Sequence, residues 1–251
     1  KRKLYLYWMF NKSHLSLKKI ALSLFSLFIL VSCEEEVKPL TFSTSLIEKK
    51  FEADIEVAYD MVNSKSEAAL NINKLTESSI LKSIPSSKNE TSIHEALLAF
   101  DEEYKAFKIE FSDSEQTWAL AIETEVLYIT ESIITMGLSV YSDTGGAHGS
   151  DTIQFLNFNP ETGNLYSNED LFTNIEGFKT LAKTYFLDHM KNEGSNISEF
   201  FFGKDFQLPE NIGFNEEGVI LLYNVYEIAS YNQGYTEFVI PLENVLQFLK
   251  I

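Results

Sequence analysis

The alternation of apolar and polar residues in the first half of the chain predicts one strand and two helices. Residues 51–62 place apolar side chains on one face and charged side chains on the other, which is typical of a half-buried strand. Apolar residues then recur at three- and four-residue spacing over 64–84 and 90–107, which predicts two amphipathic helices. Ser64 or Ser66 is the expected N-cap of the first helix, and Pro85 ends it.

The second half is richer in β-branched and aromatic residues. Strands are predicted at 118–128, 132–141, 152–158, 219–223 and 238–240. Helical patterns occupy 167–172, 175–190 and 241–249, the last with Pro241 at its first helical position. This order predicts an α+β fold, with antiparallel sheets and helices packed on them. We expect a small N-terminal α+β domain over 51–113 and a larger C-terminal α+β domain over 114–251.

A basic and then apolar segment near the start predicts export. Lys18 and Lys19 precede the twelve residues 20–31, which carry no charge. As a helix these would rise about 18 Å, too short to cross a hydrocarbon core of about 30 Å. The ending Leu-Val-Ser-Cys resembles a bacterial lipobox, which implies a signal peptide over 1–32, lipidation of Cys33 and a tether over 33–50. The alternative is an ordinary cleaved signal with an incidental cysteine.

Charge and cysteine content narrow the possible partners. The net charge is −17, and removal of 1–32 would leave 14 basic and 37 acidic residues, a net charge of −23. Such a chain repels nucleic acid and attracts cationic partners, although solubility alone is an equally simple explanation. Cys33 is the single cysteine, so a lipidated Cys33 leaves no disulfide, cysteine nucleophile or zinc–thiolate site within one chain. The three glutamates at 34–36 resemble export signals to the outer membrane surface of Bacteroidota, or form a solvated tether.

A glycine-rich loop is the best candidate for chemistry. Gly145 and Gly146 permit left-handed backbone and close approach, and Asp143, His148 and Asp151 flank them as possible ligands or an acid–base pair. The alternative is a tight strand connection in which His148 caps a backbone carbonyl. One histidine beside two aspartates lacks metal-ligand spacing, and we expect neither a metal nor a cofactor.

An aromatic and amide-rich stretch near the end is a second candidate surface. It contains Tyr223, Tyr226, Tyr231 and Tyr235. Such rings stack on sugars or on protein partners, although alternate members of such a set are often core residues. The chain has no P-loop and no Gly-x-Ser-x-Gly motif, which removes the usual signatures of nucleotide binding and of serine hydrolases.

Several motifs in order resemble one domain family. Residues 144–151 read Thr-Gly-Gly-Ala-His-Gly-Ser-Asp, 169–172 read Glu-Asp-Leu-Phe, and 223–229 read Tyr-Asn-Val-Tyr-Glu-Ile-Ala. This pattern is similar to the envelope domain of RsiV-type anti-sigma factors and PdaC-type deacetylases, over about 114–251. The family commonly has proline where this chain has Val225 and Ser230.

The resemblance implies a non-catalytic binding module on an α+β fold. The anti-sigma relatives recognise lysozyme, so a lysozyme-like protein or a peptidoglycan-type glycan is the implied ligand. The deacetylase relatives carry catalysis on a separate metal-binding domain. Two alternatives stay open: a glycan hydrolase or deacetylase that uses Asp143, His148 and Asp151, or a structural lipoprotein of the cell envelope.

Overall fold

The computed structural model describes residues 40–85 and 89–251, which form two β-sheets and five α-helices. The strands are β1 Phe42–Leu46, β2 Asp54–Val62, β3 Ala119–Ile129, β4 Ile134–Asp143, β5 Ser150–Phe158, β6 Asn211–Asn215, β7 Gly218–Tyr223 and β8 Thr236–Pro241. The helices are α1 Glu67–Ser83, α2 Ile93–Glu110, α3 Asn168–Leu171, α4 Ile175–Asn192 and α5 Leu242–Val245. Short 3-10 turns lie at Ile197–Glu199, Phe201–Gly203 and Tyr231–Gln233. The predicted α+β fold is confirmed.

The larger sheet has the order β1-β2-β3-β4-β5, and the smaller has the order β6-β7-β8. Every neighbouring pair is antiparallel except β2 and β3, which run parallel with Ile55 opposite Leu120. A parallel pair needs a long crossover, and here α1 and α2 provide it.

The two long N-terminal helices begin where their serine caps predict. The Ser66 hydroxyl accepts the N–H of Ala69, 3.2 Å away, and α1 ends before Pro85. The Ser92 hydroxyl accepts the N–H of Glu95 at 3.2 Å at the start of α2. The amphipathic helices predicted here are therefore confirmed, and their apolar faces pack on the larger sheet.

The two sheets build chemically different cores. The core between the larger sheet and α2 is mainly aliphatic and contains three buried aromatic residues, Tyr59, Phe100 and Tyr104. The core between the smaller sheet and α4 is rich in phenylalanine, and the Phe186 ring lies at its centre. Five aromatic rings lie within 6.1 Å of the Phe186 ring centroid: Phe200, Phe201, Phe206, Tyr223 and Phe238.

A buried polar chain joins the two sheets. The Thr135 hydroxyl donates to the Asn157 side chain at 2.8 Å, and the Asn157 amide donates to the carbonyl of Ile212 at 2.7 Å. A side chain at Gly213 would meet the Phe155 ring at 2.7 Å, so glycine allows the close approach. These contacts fix β6 beside β5, where the candidate site lies.

Three local predictions differ from the structure. Residues 42–46, expected to belong to the tether, form β1, and residues 211–215 form β6, a strand that is absent from the predicted elements. The closing helix is the short α5, and Pro241 is its N-cap at the end of β8 rather than its first helical residue. In each case pairing with a neighbouring strand overrides a weak local pattern.

Two of the predictions concern residues that precede Leu40. The signal peptide over 1–32 and the lipidation site Cys33 lie outside the described residues. Within them, Leu40–Ile251 forms one compact unit, and the larger sheet takes strands from both sides of the expected boundary at 113/114, which stays a prediction. None of the helices in this described part is long and apolar enough to cross a membrane.

Candidate functional site

The glycine-rich loop connects β4 to β5, and its first half is a tight turn. The Asp143 carboxylate accepts the N–H of Gly145 at 2.9 Å, and Gly145 has a φ of +98°, which glycine favours. A side chain at Gly145 would collide with the Gln116 side chain at 2.5 Å. Gly146 is exposed, and a side chain there would meet nothing nearer than 3.6 Å. Gly145 is thus the glycine that this turn requires.

His148 lies in the exposed half of the loop and is held by three contacts. Its Nδ1 lies 2.9 Å from the carbonyl oxygen of Gly149, and its Nε2 lies 3.3 Å from the Tyr226 hydroxyl. Because a carbonyl only accepts, the neutral ring donates from Nδ1 and accepts the Tyr226 hydroxyl at Nε2. The ring also stacks on Tyr231, with centroids 3.8 Å apart and planes inclined by 19°.

His148, Tyr226 and Tyr231 therefore form an exposed group, which we name the aromatic cluster. The two tyrosine rings are 57% and 42% exposed, and their centroids lie 5.7 Å apart. Tyr226 has a φ of +69°, a left-handed conformation that costs a bulky residue of the order of 1–3 kcal/mol. Strained residues of this kind concentrate at functional sites, so Tyr226 marks the cluster as the best candidate surface.

The two aspartates of the loop do not contact His148 through the hydrogen bonds of the described residues. Asp143 is turned to Gly145, whereas Asp151 lies near Tyr235. Burial, followed by the nearby Asp151 carboxylate, raises the pKa of Tyr235. The buried Tyr235 hydroxyl has no partner of hydrogen-bonding geometry among the described residues, so Asp151 acts on it mainly as a charge.

Tyr223 does not join the aromatic cluster. It is 1% exposed, and its hydroxyl donates to the carbonyl of Gln207 at 2.6 Å. Burial, followed by the charge of Glu227, raises its pKa. The candidate stretch is thus divided: Tyr223 belongs to the phenylalanine-rich core, Tyr235 is partly buried, and Tyr226 and Tyr231 face solvent.

Two neighbours of Tyr226 in the 223–229 motif hold its backbone, although neither is among the candidate site residues predicted above. The Glu227 carboxylate accepts the N–H groups of Asn224 at 2.8 Å and Glu210 at 3.0 Å. The Asn224 amide exchanges two 2.9 Å hydrogen bonds with the backbone N–H and C=O of Ile153 in β5. Asn and Glu three residues apart is the spacing of a reciprocal cap, which is the signal that could have identified them.

Within the described part of the chain, no cation pairs with Glu227. Burial raises the pKa of Glu227, and the neighbouring Glu210 carboxylate raises it further, while the two accepted N–H bonds lower it only in part. Glu227 therefore ionises less readily than an exposed glutamate.

A second loop supports the cluster from the side. The N–H of Phe201 donates to the carbonyl of Ile228 at 2.6 Å, and the Gln233 amide donates to Glu199 at 2.9 Å. Phe201 and Phe202 both have positive φ values, of 58° and 51°. The Phe201 ring is buried in the phenylalanine-rich core, whereas the Phe202 ring is 62% exposed. The loops around the cluster thus pack on the phenylalanine-rich core.

The geometry of the aromatic cluster suits non-covalent binding. Across the described ranges 40–85 and 89–251, no group of three or more His, Cys, Asp and Glu side chains is placed to hold a metal ion. What the cluster presents is stacking faces, one imidazole and neighbouring carboxylates. Such surfaces bind cations through the ring faces and bind apolar or sugar faces by stacking.

The fold and part of the sequence are similar to known proteins. Residues 168–243 match a family described as "Protein of unknown function (DUF3298)". A solved DUF3298 family member from Bacteroides fragilis superimposes with a TM-score of 0.66 at 19% identity, covering 84% of this chain and 94% of that one. A solved DUF3298 protein from Pseudomonas aeruginosa PAO1 gives a TM-score of 0.57 at 21% identity, covering 84% and 93%. No curated protein matches the sequence.

These similarities define the molecule by class. It is a mixed α+β protein with a five-stranded and a three-stranded sheet, and its fold is similar to that of the two solved DUF3298 proteins. Residues 168–243 are similar to the DUF3298 family, which is described as of unknown function. The matched segment begins at α3 and runs into α5, so it includes Tyr226 and Tyr231 but not His148.

Proposed function

We propose that the protein is a non-catalytic binding module of the bacterial cell envelope, anchored at the outer membrane or cell surface through a lipidated Cys33. The observation that carries this proposal is the aromatic cluster, in which His148, Tyr226 and Tyr231 are exposed yet fixed. Groups held rigid before binding lose little conformational entropy on contact, so they suit recognition.

Charge supports a cationic protein as the ligand. The expected mature net charge of −23 would raise the association rate of a basic partner, and exposed tyrosine rings bind Lys and Arg side chains through cation–π contacts. The resemblance to RsiV-type anti-sigma factors, whose envelope domain recognises lysozyme, supports a lysozyme-like protein of this kind.

The hydrogen bonds of His148 favour binding over catalysis. Both ring nitrogens have partners, and these are the carbonyl of Gly149 and the hydroxyl of Tyr226. The Gly149 carbonyl orients the ring, but the Nε2 that would act as a general base is occupied by the Tyr226 hydroxyl, and Asp143 and Asp151 have other contacts. A hydrolase or deacetylase centred on His148 is thus the less supported alternative.

The test is a titration of the full chain, purified in detergent, against lysozyme at low and high salt. We expect saturable binding that weakens at high salt, because surface charges are screened over about 10 Å at 0.1 M salt. A neutral muramidase is the control and should bind far more weakly. No saturable binding to lysozyme, or equal binding to both enzymes, would contradict the proposal.

Variants then locate the surface. Tyr231→Ala removes an exposed ring and should weaken lysozyme binding about 10-fold, since buried aromatic anchors typically contribute 1 kcal/mol or more. The matched control is Phe111→Ala, which removes a ring that is 51% exposed outside the cluster. Equal effects from the two substitutions would place the contact surface elsewhere.

A further inference from the structure

A polar cleft of about 370 Å³ lies along the outer edge of β5, beside the start of β6 and the turn after β7. Its apolar floor includes Leu138 and Val140 of β4, and polar side chains of β5 and of the smaller sheet line its rim. The volume falls within the range of small-ligand sites, about 300–1,000 Å³. The cleft is distinct from the aromatic cluster, because none of the three cluster residues lines it.

Two polar side chains in this cleft are available to a ligand. Thr152 and Gln154 are exposed, and within 40–85 and 89–251 neither side chain makes a hydrogen bond. In the β4–β5 register Thr152 lies opposite Val140 and Gln154 opposite Leu138, so each polar group stands next to an apolar one. A hydroxyl and an amide beside an apolar floor match a ligand with one apolar face and several hydroxyl groups.

The β5 backbone is closed to a peptide strand. Asn224 occupies both the N–H and the C=O of Ile153, and the Asn211 side chain accepts the N–H of Phe155 at 3.3 Å. A peptide that binds by strand addition needs these same edge groups. Adding a strand here would break at least three hydrogen bonds, so a ligand must use the side chains of the cleft instead.

The charge around the cleft disfavours anionic ligands. The exposed Glu210 carboxylate borders the cleft, and no lysine, arginine or histidine of residues 40–85 and 89–251 lines it. An anionic ligand such as a phosphate ester would meet repulsion without a compensating cation. We infer that the cleft along β5 is a binding site for an uncharged oligosaccharide. This site is separate from the surface proposed for the cationic protein.

The test is a calorimetric titration of the full chain, in a detergent without a sugar headgroup, with the tetramers of N-acetylglucosamine and of glucose. We expect saturable binding of at least one tetramer, with a dissociation constant below about 10 mM, the range for a shallow polar site. Gln154→Leu removes the free amide and should raise that constant about 10-fold. The matched control is Gln247→Leu, an exposed glutamine outside the cleft, which should change nothing.

Lysozyme binding by the same preparations separates the two sites. Gln154→Leu should leave lysozyme binding unchanged, and Tyr231→Ala should leave saccharide binding unchanged. The inference is overturned if neither tetramer saturates the protein. It is also overturned if binding survives Gln154→Leu, or falls equally with Gln247→Leu.

Discussion

Asp101, beside the larger sheet, and Glu227, beside the smaller sheet, both bind two backbone N–H groups. Their pKa values, however, shift in opposite directions. Each carboxylate accepts two backbone N–H groups: Asp101 holds Glu52 and Ala53 at 2.7 and 2.9 Å, and Glu227 holds Glu210 and Asn224. For both, burial is the largest influence and raises the pKa.

One difference between them is a cation beside Asp101. Lys105 lies 2.7 Å from the second oxygen of Asp101, and together with the two N–H groups it lowers the pKa of Asp101 below its ordinary value despite burial. Among the residues that the structure describes, Glu227 has no such cation, and the nearby Glu210 carboxylate adds to the effect of burial, so its pKa stays raised. At Glu227 two backbone amides do not offset burial and the Glu210 charge, whereas at Asp101 two amides and a lysine do offset burial.

The opposite pKa shifts predict opposite pH dependences of the free energy of unfolding. Asp101 stabilises the fold fully above its ordinary pKa of about 3.9, and this stability is lost as the pH falls through its lower folded pKa. Glu227 does the reverse: the free energy of unfolding rises as the pH falls from above its raised folded pKa towards about 4.3.

The largest expected effect is that of Asp101→Ala. It leaves two N–H groups without acceptors at a site that is 2% exposed, and we expect the free energy of unfolding to fall by about 3 kcal/mol. Urea denaturation at pH 7 measures this. Glu102→Ala is the control, because Glu102 contacts the same lysine at the surface and should contribute little. Equal losses from both substitutions would mean that the hydrogen bonds of Asp101 to Glu52 and Ala53 do not hold the N-terminus of β2.

Glu227→Ala should cost less, about 2 kcal/mol, because burial already disfavours its charged form. It should also weaken lysozyme binding, since Glu227 fixes the turn that carries Tyr226. Urea denaturation and the lysozyme titration measure the two effects, with the exposed Glu237→Ala on β8 as control. Unchanged lysozyme binding would show that the turn keeps its shape without the hydrogen bonds of Glu227.

Lys105→Met tests whether the lysine lowers the pKa of Asp101 relative to that of Glu227. Without the cation, Asp101 should resemble Glu227, and its pKa should rise above the ordinary value. Carboxyl titration by NMR measures that pKa, and acid unfolding should no longer show the loss that Asp101 causes in the native chain. The exposed Lys82→Met on α1 is the control. An Asp101 pKa that stays low in the Met variant would assign the whole effect to the backbone amides.

The smallest effect on stability belongs to Tyr226→Gly. Glycine relieves the left-handed strain but adds freedom to the unfolded chain, so the free energy of unfolding should change by less than about 1 kcal/mol. Tyr226→Ala keeps the strain and should be the less stable of the two by thermal denaturation. Both should lose lysozyme affinity. A glycine variant less stable than the alanine variant would show that the backbone there is not strained.

The regular elements could be predicted because their patterns are local. α1 and α2 carry serine caps and apolar spacing that specify a helix without reference to the rest of the chain. β1 and β6 could not be predicted in this way. β1 is small and polar over its three central residues, β6 contains Gly213 between two asparagines, and both owe their conformation to pairing with β2 and β7.

The candidate site was predicted only in its parts. Glycine and aspartate in the His148 loop indicated the tight turn at Gly145, and a tyrosine-rich stretch indicated a surface. No local pattern indicates that the His148 ring stacks on Tyr231, since the packing of the two sheets brings them together. Periodicity also fails to separate buried Tyr223 from exposed Tyr226, because the chain leaves β7 between them and the alternation ends there.

The parallel pair of β2 and β3 has a consequence for the order of events during synthesis. β1 and β2 are available to pair early, but the other edge of β2 pairs with residues from Ala119 onward, beyond both long helices. A chain that emerges from its N-terminus therefore exposes this edge of β2 until β3 has been made. Such long-range pairing folds slowly, and an open strand edge invites association with other chains. The crossover that completes the larger sheet is thus the stage at which the newly made protein is most exposed to aggregation.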